Sequence, residues 1–149
     1  MKKLLSALLT LALLCALFTT PVFAETADTI TITDHAGNEV TLPKEINRIV
    51  TTSIYPFASV VTMYLGSAEK LVGIHPVSYS SAVNSTLGKL FPEIANASTG
   101  FMTGSDLNIE EIMKLNPDVI LYNAGNSSHA EILKASGIPS IGFATVGAS

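Results

Sequence analysis

The chain has 149 residues, a length that suits a single domain, and its eight basic and twelve acidic residues give a formal net charge of −4. Beyond Lys2 and Lys3 the basic residues occur singly, so no stripe exists to track phosphates and nucleic acid is excluded as a partner. A single cysteine excludes a disulfide framework and a cysteine metal site.

Residues 1–24 read as a cleavable secretory signal. Lys2 and Lys3 form a basic start, residues 4–18 form an apolar run of 15, and Thr19-Thr20-Pro21 breaks it before Val22-Phe23-Ala24. Spanning a bilayer takes roughly 20 apolar residues, so the run is short for an anchor. Cys15 follows Leu14 inside the apolar run, whereas an acylated lipoprotein cysteine follows a small residue. It is expected to leave with the signal. The working chain then starts at Glu25, with six basic residues against twelve acids, and must be held by its core alone.

In chain order, Ile30-Thr31-Ile32-Thr33 and Glu39-Val40-Thr41-Leu42 flank Asp34-His35-Ala36-Gly37-Asn38, which predicts a hairpin closed by Pro43. The β-branched run 48–54 predicts a buried strand. Pro56 opens a helix whose apolar face is read as Phe57, Val60, Val61, Tyr64 and Leu65, with Gly66 ending it. Leu71-Val72-Gly73-Ile74 is a second strand, and a looser stretch follows with a short helix near residues 81–90. Asn108 and Glu111 have the spacing of reciprocal capping, opening a helix with Ile109, Ile112, Met113 and Leu115 inward. Pro117 stops it before a strand at 118–122. Ser127 or Ser128 is expected to cap a helix that ends at Gly137, followed by a strand at 138–143.

Strand–helix alternation with buried strands predicts an α/β fold, a Rossmann-like parallel sheet with helices on both faces, preceded by a β-hairpin. Ligands gather at the carboxyl ends of such strands. That rim would hold Tyr55, His75 and the loop from Asn123 to Asn126, while the hairpin with His35 would lie far from it.

Thr33-Asp34-His35-Ala36-Gly37-Asn38-Glu39-Val40-Thr41-Leu42-Pro43 and Asn47-Arg48-Ile49-Val50 resemble the opening of periplasmic solute-binding proteins that serve ABC importers of iron-siderophores, haem and cobalamin. Leu71-Val72-Gly73-Ile74 and Asn108-Ile109-Glu110-Glu111-Ile112-Met113-Lys114-Leu115-Asn116-Pro117-Asp118-Val119-Ile120 resemble two further markers of that family, in order and in spacing. The resemblance implies two α/β lobes joined by a long helix, with ligand between them. It makes residues 25–149 the N-terminal lobe, ending about where the linking helix would begin, so that the second lobe is absent and the sequence reads as a fragment. It also implies a periplasmic, monomeric receptor with a metal-chelate ligand and no resident cofactor. Its partners would be an ABC permease and its ATPase, with the membrane met only through the permease. Glu110 would take the family's docking role toward an Arg of the permease, while Glu111 caps.

Tyr55, His75, Tyr79, Asn123 and Asn126 are the candidate ligand-binding residues, their aromatic and imidazole groups suiting an iron chelate or a haem edge. Helix amino ends near Pro56 and Ser128 would favour anionic ligand groups. A single His before Pro is usually a turn residue, and His75 before Pro76 reads more readily as one. Tyr64 is expected in the core and His129 at the surface. No Gly-x-Ser-x-Gly elbow surrounds Ser53 and no phosphate-binding loop occurs, so an enzyme is not expected. The alternatives are a free Zn or Mn receptor, which needs about three or four converging His and carboxylate ligands, and a truncated lobe without binding activity.

Overall fold

A computed structural model describes residues 28–52 and 56–144. The expected signal segment, Cys15, Ser53 and Tyr55 lie outside the described residues.

Strands β1 (Thr29–Thr33) and β2 (Glu39–Pro43) form the expected hairpin. A four-stranded parallel sheet is built from β3 (Ile49–Thr51), β4 (Leu71–Ile74), β7 (Val119–Asn123) and β8 (Ser140–Phe143), in the order β4-β3-β7-β8. Helices α1 (Phe57–Leu65), α2 (Pro76–Val83) and α3 (Thr86–Leu90) and a 3-10 turn (Pro92–Asn96) form a first group. A short antiparallel pair, β5 (Met102–Thr103) and β6 (Asp106–Leu107), precedes α4 (Ile109–Lys114), and α5 (Ser127–Ser136) joins β7 to β8. Side chains alternate across the sheet. Ile49, Leu71, Val119 and Leu121 enter one core with Ala58, Ala82, Ile94 and the hairpin's Val40 and Leu42. Val50, Ile120 and Tyr122 enter the other with Phe101, Ile112 and Leu133. The sheet is thus covered on both faces, as its buried strands require.

The motif residues have structural work. The Asp118 carboxylate accepts the backbone N–H groups of Asn47 and Arg48 at 2.7 and 2.9 Å, and the Arg48 guanidinium donates to the Leu115 carbonyl at 2.7 Å. A cation at the end of α4 satisfies a terminal carbonyl and favours the helix dipole. Gly73 lies where a Cβ would meet Leu115 Cδ1 and Phe101 Cε1 at 2.9 Å each, so the strand can pass beneath them only without a side chain.

Several expectations are corrected. The region around 81–90 holds two helices: α2 begins earlier, at Pro76, and Ser85 caps α3 by accepting the Leu87 N–H at 3.1 Å. On α1 the buried residues are Ala58 and Thr62; Phe57 and Val61 are partly covered, while Val60, Leu65 and Tyr64 are exposed, Tyr64 by 89%. Every residue of this helix except Ser59 and Thr62 is apolar, so its pattern does not single out one face. The side with small residues approaches the sheet, and the Thr62 hydroxyl donates to the Ala58 carbonyl at 2.9 Å.

Asn108 caps α4 as expected, accepting from the Glu110 and Glu111 N–H groups at 3.1 and 3.2 Å. The return bond from Glu111 does not form, because the Asn108 N–H already donates to the Phe101 carbonyl and Glu111 pairs with Lys114. Met113 is 55% exposed, because in this short helix Ile112 alone is fully buried. Asn126, not Ser127 or Ser128, caps α5 through a 3.1 Å bond from the His129 N–H.

The hairpin also sits elsewhere than expected. Asp34 Oδ2 accepts the Gly142 N–H at 2.9 Å, and the His35 N–H donates to the Gly142 carbonyl at 3.1 Å. The Ala144 N–H donates to His35 Nδ1 at 3.1 Å, and the His35 ring stacks edge-on against Phe143. The turn of the hairpin therefore packs at the carboxyl end of β8. Its apolar Val40 and Leu42 belong in the core, and burying them carries the turn up beside that strand end.

Candidate functional site

Strand order reverses at β3: the chain goes from β3 to β4 on one side, then to β7 on the other. The crevice outside the carboxyl ends of β3 and β7 is therefore the switch point where ligands bind in open α/β sheets. Thr51 ends β3 there, and the N–H of the following Thr52 donates to the Leu121 carbonyl at 3.0 Å. Asn123 ends β7, its Oδ1 accepting the Gly125 N–H at 2.9 Å to shape the following turn. Asn126 lies beyond it as the cap of α5.

His75 follows β4, tied to β3 by a 2.9 Å bond from its N–H to the Thr51 carbonyl. Its Nδ1 accepts the Val77 N–H at 3.2 Å, so in the neutral ring the proton is on Nε2. Burial holds its pKa below the usual histidine value, and electrostatic repulsion between its ring and that of His129 lowers it further. The neutral imidazole is thus favoured at neutral pH. Tyr79 lies one turn into α2, half-buried, with its hydroxyl donating to the Ala95 carbonyl at 3.1 Å. The geometry places His75, Asn123 and Asn126 along the rim; Tyr79 is set back from it against the first core.

His129 departs from expectation. It is 4% exposed, its Nε2 donates to the Ser105 carbonyl at 2.9 Å, and its Nδ1 is buried without a hydrogen-bond partner among the described residues. Its position in the first turn suggested solvent, but the β5–β6 pair folds over it. That two-residue pairing was invisible in the sequence because strands so short carry no periodicity. Thr51 Oγ1 and Ser78 Oγ are likewise buried without a partner among the described residues. Among the described residues, no group of three or more His, Cys, Asp and Glu is placed to hold a metal ion.

Glu110 is exposed in the first turn of α4, and its carboxylate makes no hydrogen bond or ion pair among the described residues.

No protein-family model and no curated protein sequence matches the chain. Solved structures do. A periplasmic solute-binding protein from Veillonella parvula is 36% identical with a TM-score of 0.70, over 76% of this chain and 35% of that one. The haem-binding protein HmuT is 25% identical with a TM-score of 0.58, over 84% of this chain and 38% of that one. CeuE of Helicobacter pylori, in a complex with nickel and histidine, is 25% identical with a TM-score of 0.59, over 78% of this chain and 36% of that one. The chain spans about a third of the length of these relatives. Sequence and fold agree: the chain belongs to the periplasmic solute-binding proteins of ABC transporters.

Proposed function

We propose that the chain is the N-terminal lobe of the substrate-binding component of an ABC importer. It captures an iron-siderophore, haem, cobalamin or similar metal chelate and delivers it to a permease and its ATPase without covalent chemistry. The observation that carries this reading is the 36% identity to a periplasmic solute-binding protein over 76% of the chain. The site would be the rim at the β3–β7 switch point, with Tyr55, His75, Tyr79, Asn123 and Asn126 as the ligand-facing candidates and a second lobe as the opposite wall. A neutral His75 with its Nε2 outward suits hydrogen bonding to a chelate. Residues 1–24 would act as the export signal and leave a periplasmic receptor.

Titration of the full-length gene product with ferric siderophores, haem, cobalamin and Zn tests this. Tight binding of one chelate is expected. Tight binding of Zn with no response to any chelate would establish the free metal-ion receptor instead, and no binding at all would leave a lobe without activity. Glu110 is assigned to permease docking, because its carboxylate is exposed and Glu111 is occupied by Lys114. Glu110→Ala is expected to leave ligand affinity intact and to impair uptake in a transport assay; unchanged transport refutes the assignment.

A further inference from the structure

Outside the rim, a groove of about 500 Å³ runs between β2 and the amino half of β8, with α5 as its far wall. Glu39, Thr41, Tyr122, Glu131, Lys134 and Ser140 line it. Its two near walls are strand edges. On β2 the ladder to β1 uses Ile30, Ile32, Val40 and Leu42, in phase with the Asp34–Asn38 and Asp28–Lys44 bonds, so the N–H and C=O groups of Glu39 and Thr41 point outward. On β8 the ladder to β7 uses Pro139 and Phe143, so Ser140 and Gly142 point outward. Gly142 is closed by Asp34 and His35; Ser140 makes no backbone bond on that side among the described residues.

The rest of the sheet treats an open edge as something to be covered. The outer edge of β4 is paired with Ser98, through Ile74 N–H at 2.9 Å and Ser98 N–H at 3.0 Å. Uncovered edges invite another strand. The groove also has a polar floor. The Tyr122 side chain crosses over Gly142, where a Cβ would lie 3.0 Å from its hydroxyl, and it reaches the neighbourhood of the Asp34 carboxylate. Tyr122 is 4% exposed and lines the groove, and its hydroxyl is not among the fully buried unpaired polar atoms. Around it, the Glu39 and Glu131 carboxylates outnumber the Lys134 ammonium, with Asp34 beside the floor.

We propose that this groove is a docking site for an extended, basic peptide segment of a partner protein, which adds as a strand between β2 and β8. Its backbone would pair with Glu39, Thr41 and Ser140, one of its carbonyls would accept the Tyr122 O–H, and its cationic side chains would meet Glu39 and Glu131. Backbone pairing gives such a contact its affinity and the alternating side chains its selectivity. The site is separate from the ligand rim, and its test requires no chelate.

The probe is an acetylated and amidated hexapeptide alternating valine and lysine, added to the isotope-labelled full chain. The expected result is saturable shifts of the Glu39, Thr41 and Ser140 amides, with slowed exchange at all three. Tyr122→Phe and Glu39→Gln/Glu131→Gln should each raise the peptide Kd at least tenfold. Thr41→Pro should do the same while keeping the hairpin folded, because that N–H lies outside the β1–β2 ladder. The proposal is overturned if the three amides do not shift, or if Thr41→Pro and Tyr122→Phe both bind as tightly as the parent. It is also overturned if spermidine competes as an equal occupant, or if the same amides respond instead to protein concentration as the chain dimerises.

Discussion

The two edges of the parallel sheet are covered by different chemistry, β8 only towards its carboxyl end. At β4 the cover is backbone: Ser98 offers its own N–H and C=O to Val72 and Ile74. At β8 the cover is largely side chain. Asp34 accepts the Gly142 N–H, His35 accepts the Ala144 N–H, and only the His35 N–H to Gly142 carbonyl bond is backbone on both sides. A backbone cover works with almost any side chain and at any pH. A side-chain cover ties a sheet edge to the identity of two residues more than a hundred positions away in sequence, and to the ionisation of Asp34. Asp34 is the centre of that cover. The same carboxylate accepts the Ala36 and Asn38 N–H groups at 2.9 and 2.8 Å, so it holds the turn of the hairpin and the strand edge together.

The largest effect is expected where that carboxylate is removed. Asp34→Ala orphans the Gly142 and Asn38 donors and should cost about 3 kcal/mol of stability, read from chemical denaturation. A loss below about 1 kcal/mol would mean that the two edges do not differ in this way. Gly142→Ala attacks the same edge by volume. Its Cβ would meet the Tyr122 hydroxyl at 3.0 Å and Asp34 Oδ2 at 3.1 Å, tighter than ordinary contact. A destabilisation of about 1–3 kcal/mol is expected from the overpacking, with the Tyr122 ring reporting the strain by near-ultraviolet circular dichroism.

Acid separates the edges without mutation. Burial by itself would raise the Asp34 pKa, but hydrogen bonds from the Asn38 and Gly142 N–H groups, the Asn38 side chain and the Ala36 N–H outweigh it, so the folded value lies below 3.8. A carboxylate with a depressed folded pKa contributes fully above its unfolded value and loses that contribution as the pH falls through the folded one. Stability should therefore fall below about pH 4 more steeply in the parent than in Asp34→Asn; parallel pH profiles for the two would argue against the assignment. The smallest effect is expected at β4: Ser98→Ala removes a hydroxyl 3.4 Å from the Gly100 N–H and leaves the edge pairing intact. It should change stability by no more than about 0.5 kcal/mol.

The helix α1 and the strand β4 show how unevenly the sequence spoke. Leu71-Val72-Gly73-Ile74 was legible to the residue as a strand, because buried parallel strands are short apolar runs between breakers. The α1 helix was legible as a helix, with its end at Gly66, but not in orientation, since an almost wholly apolar segment has no polar side to mark solvent. Asn108 as a cap was legible because capping is local; the missing reply from Glu111 was not, because its target was taken by Phe101 from outside the helix. At the rim, His75 and Asn123 were placed by their positions after strands, which chain order alone supplies. The burial of His129 depended on a strand pair arriving from 24 residues away to receive its Nε2.

By itself, the sequence determined the order and identity of the longer elements, the parallel α/β class, the hairpin, the helix stops and the family resemblance. All of these rest on contacts within a turn or a strand, or on motifs read in register. The tertiary structure alone decided that the hairpin climbs to the carboxyl end of β8, that α1 turns its small residues inward, and that Tyr122 passes over Gly142 toward Asp34. Those choices are made by volume, by unpaired donors and by burial between residues distant in the chain. No local pattern encodes them.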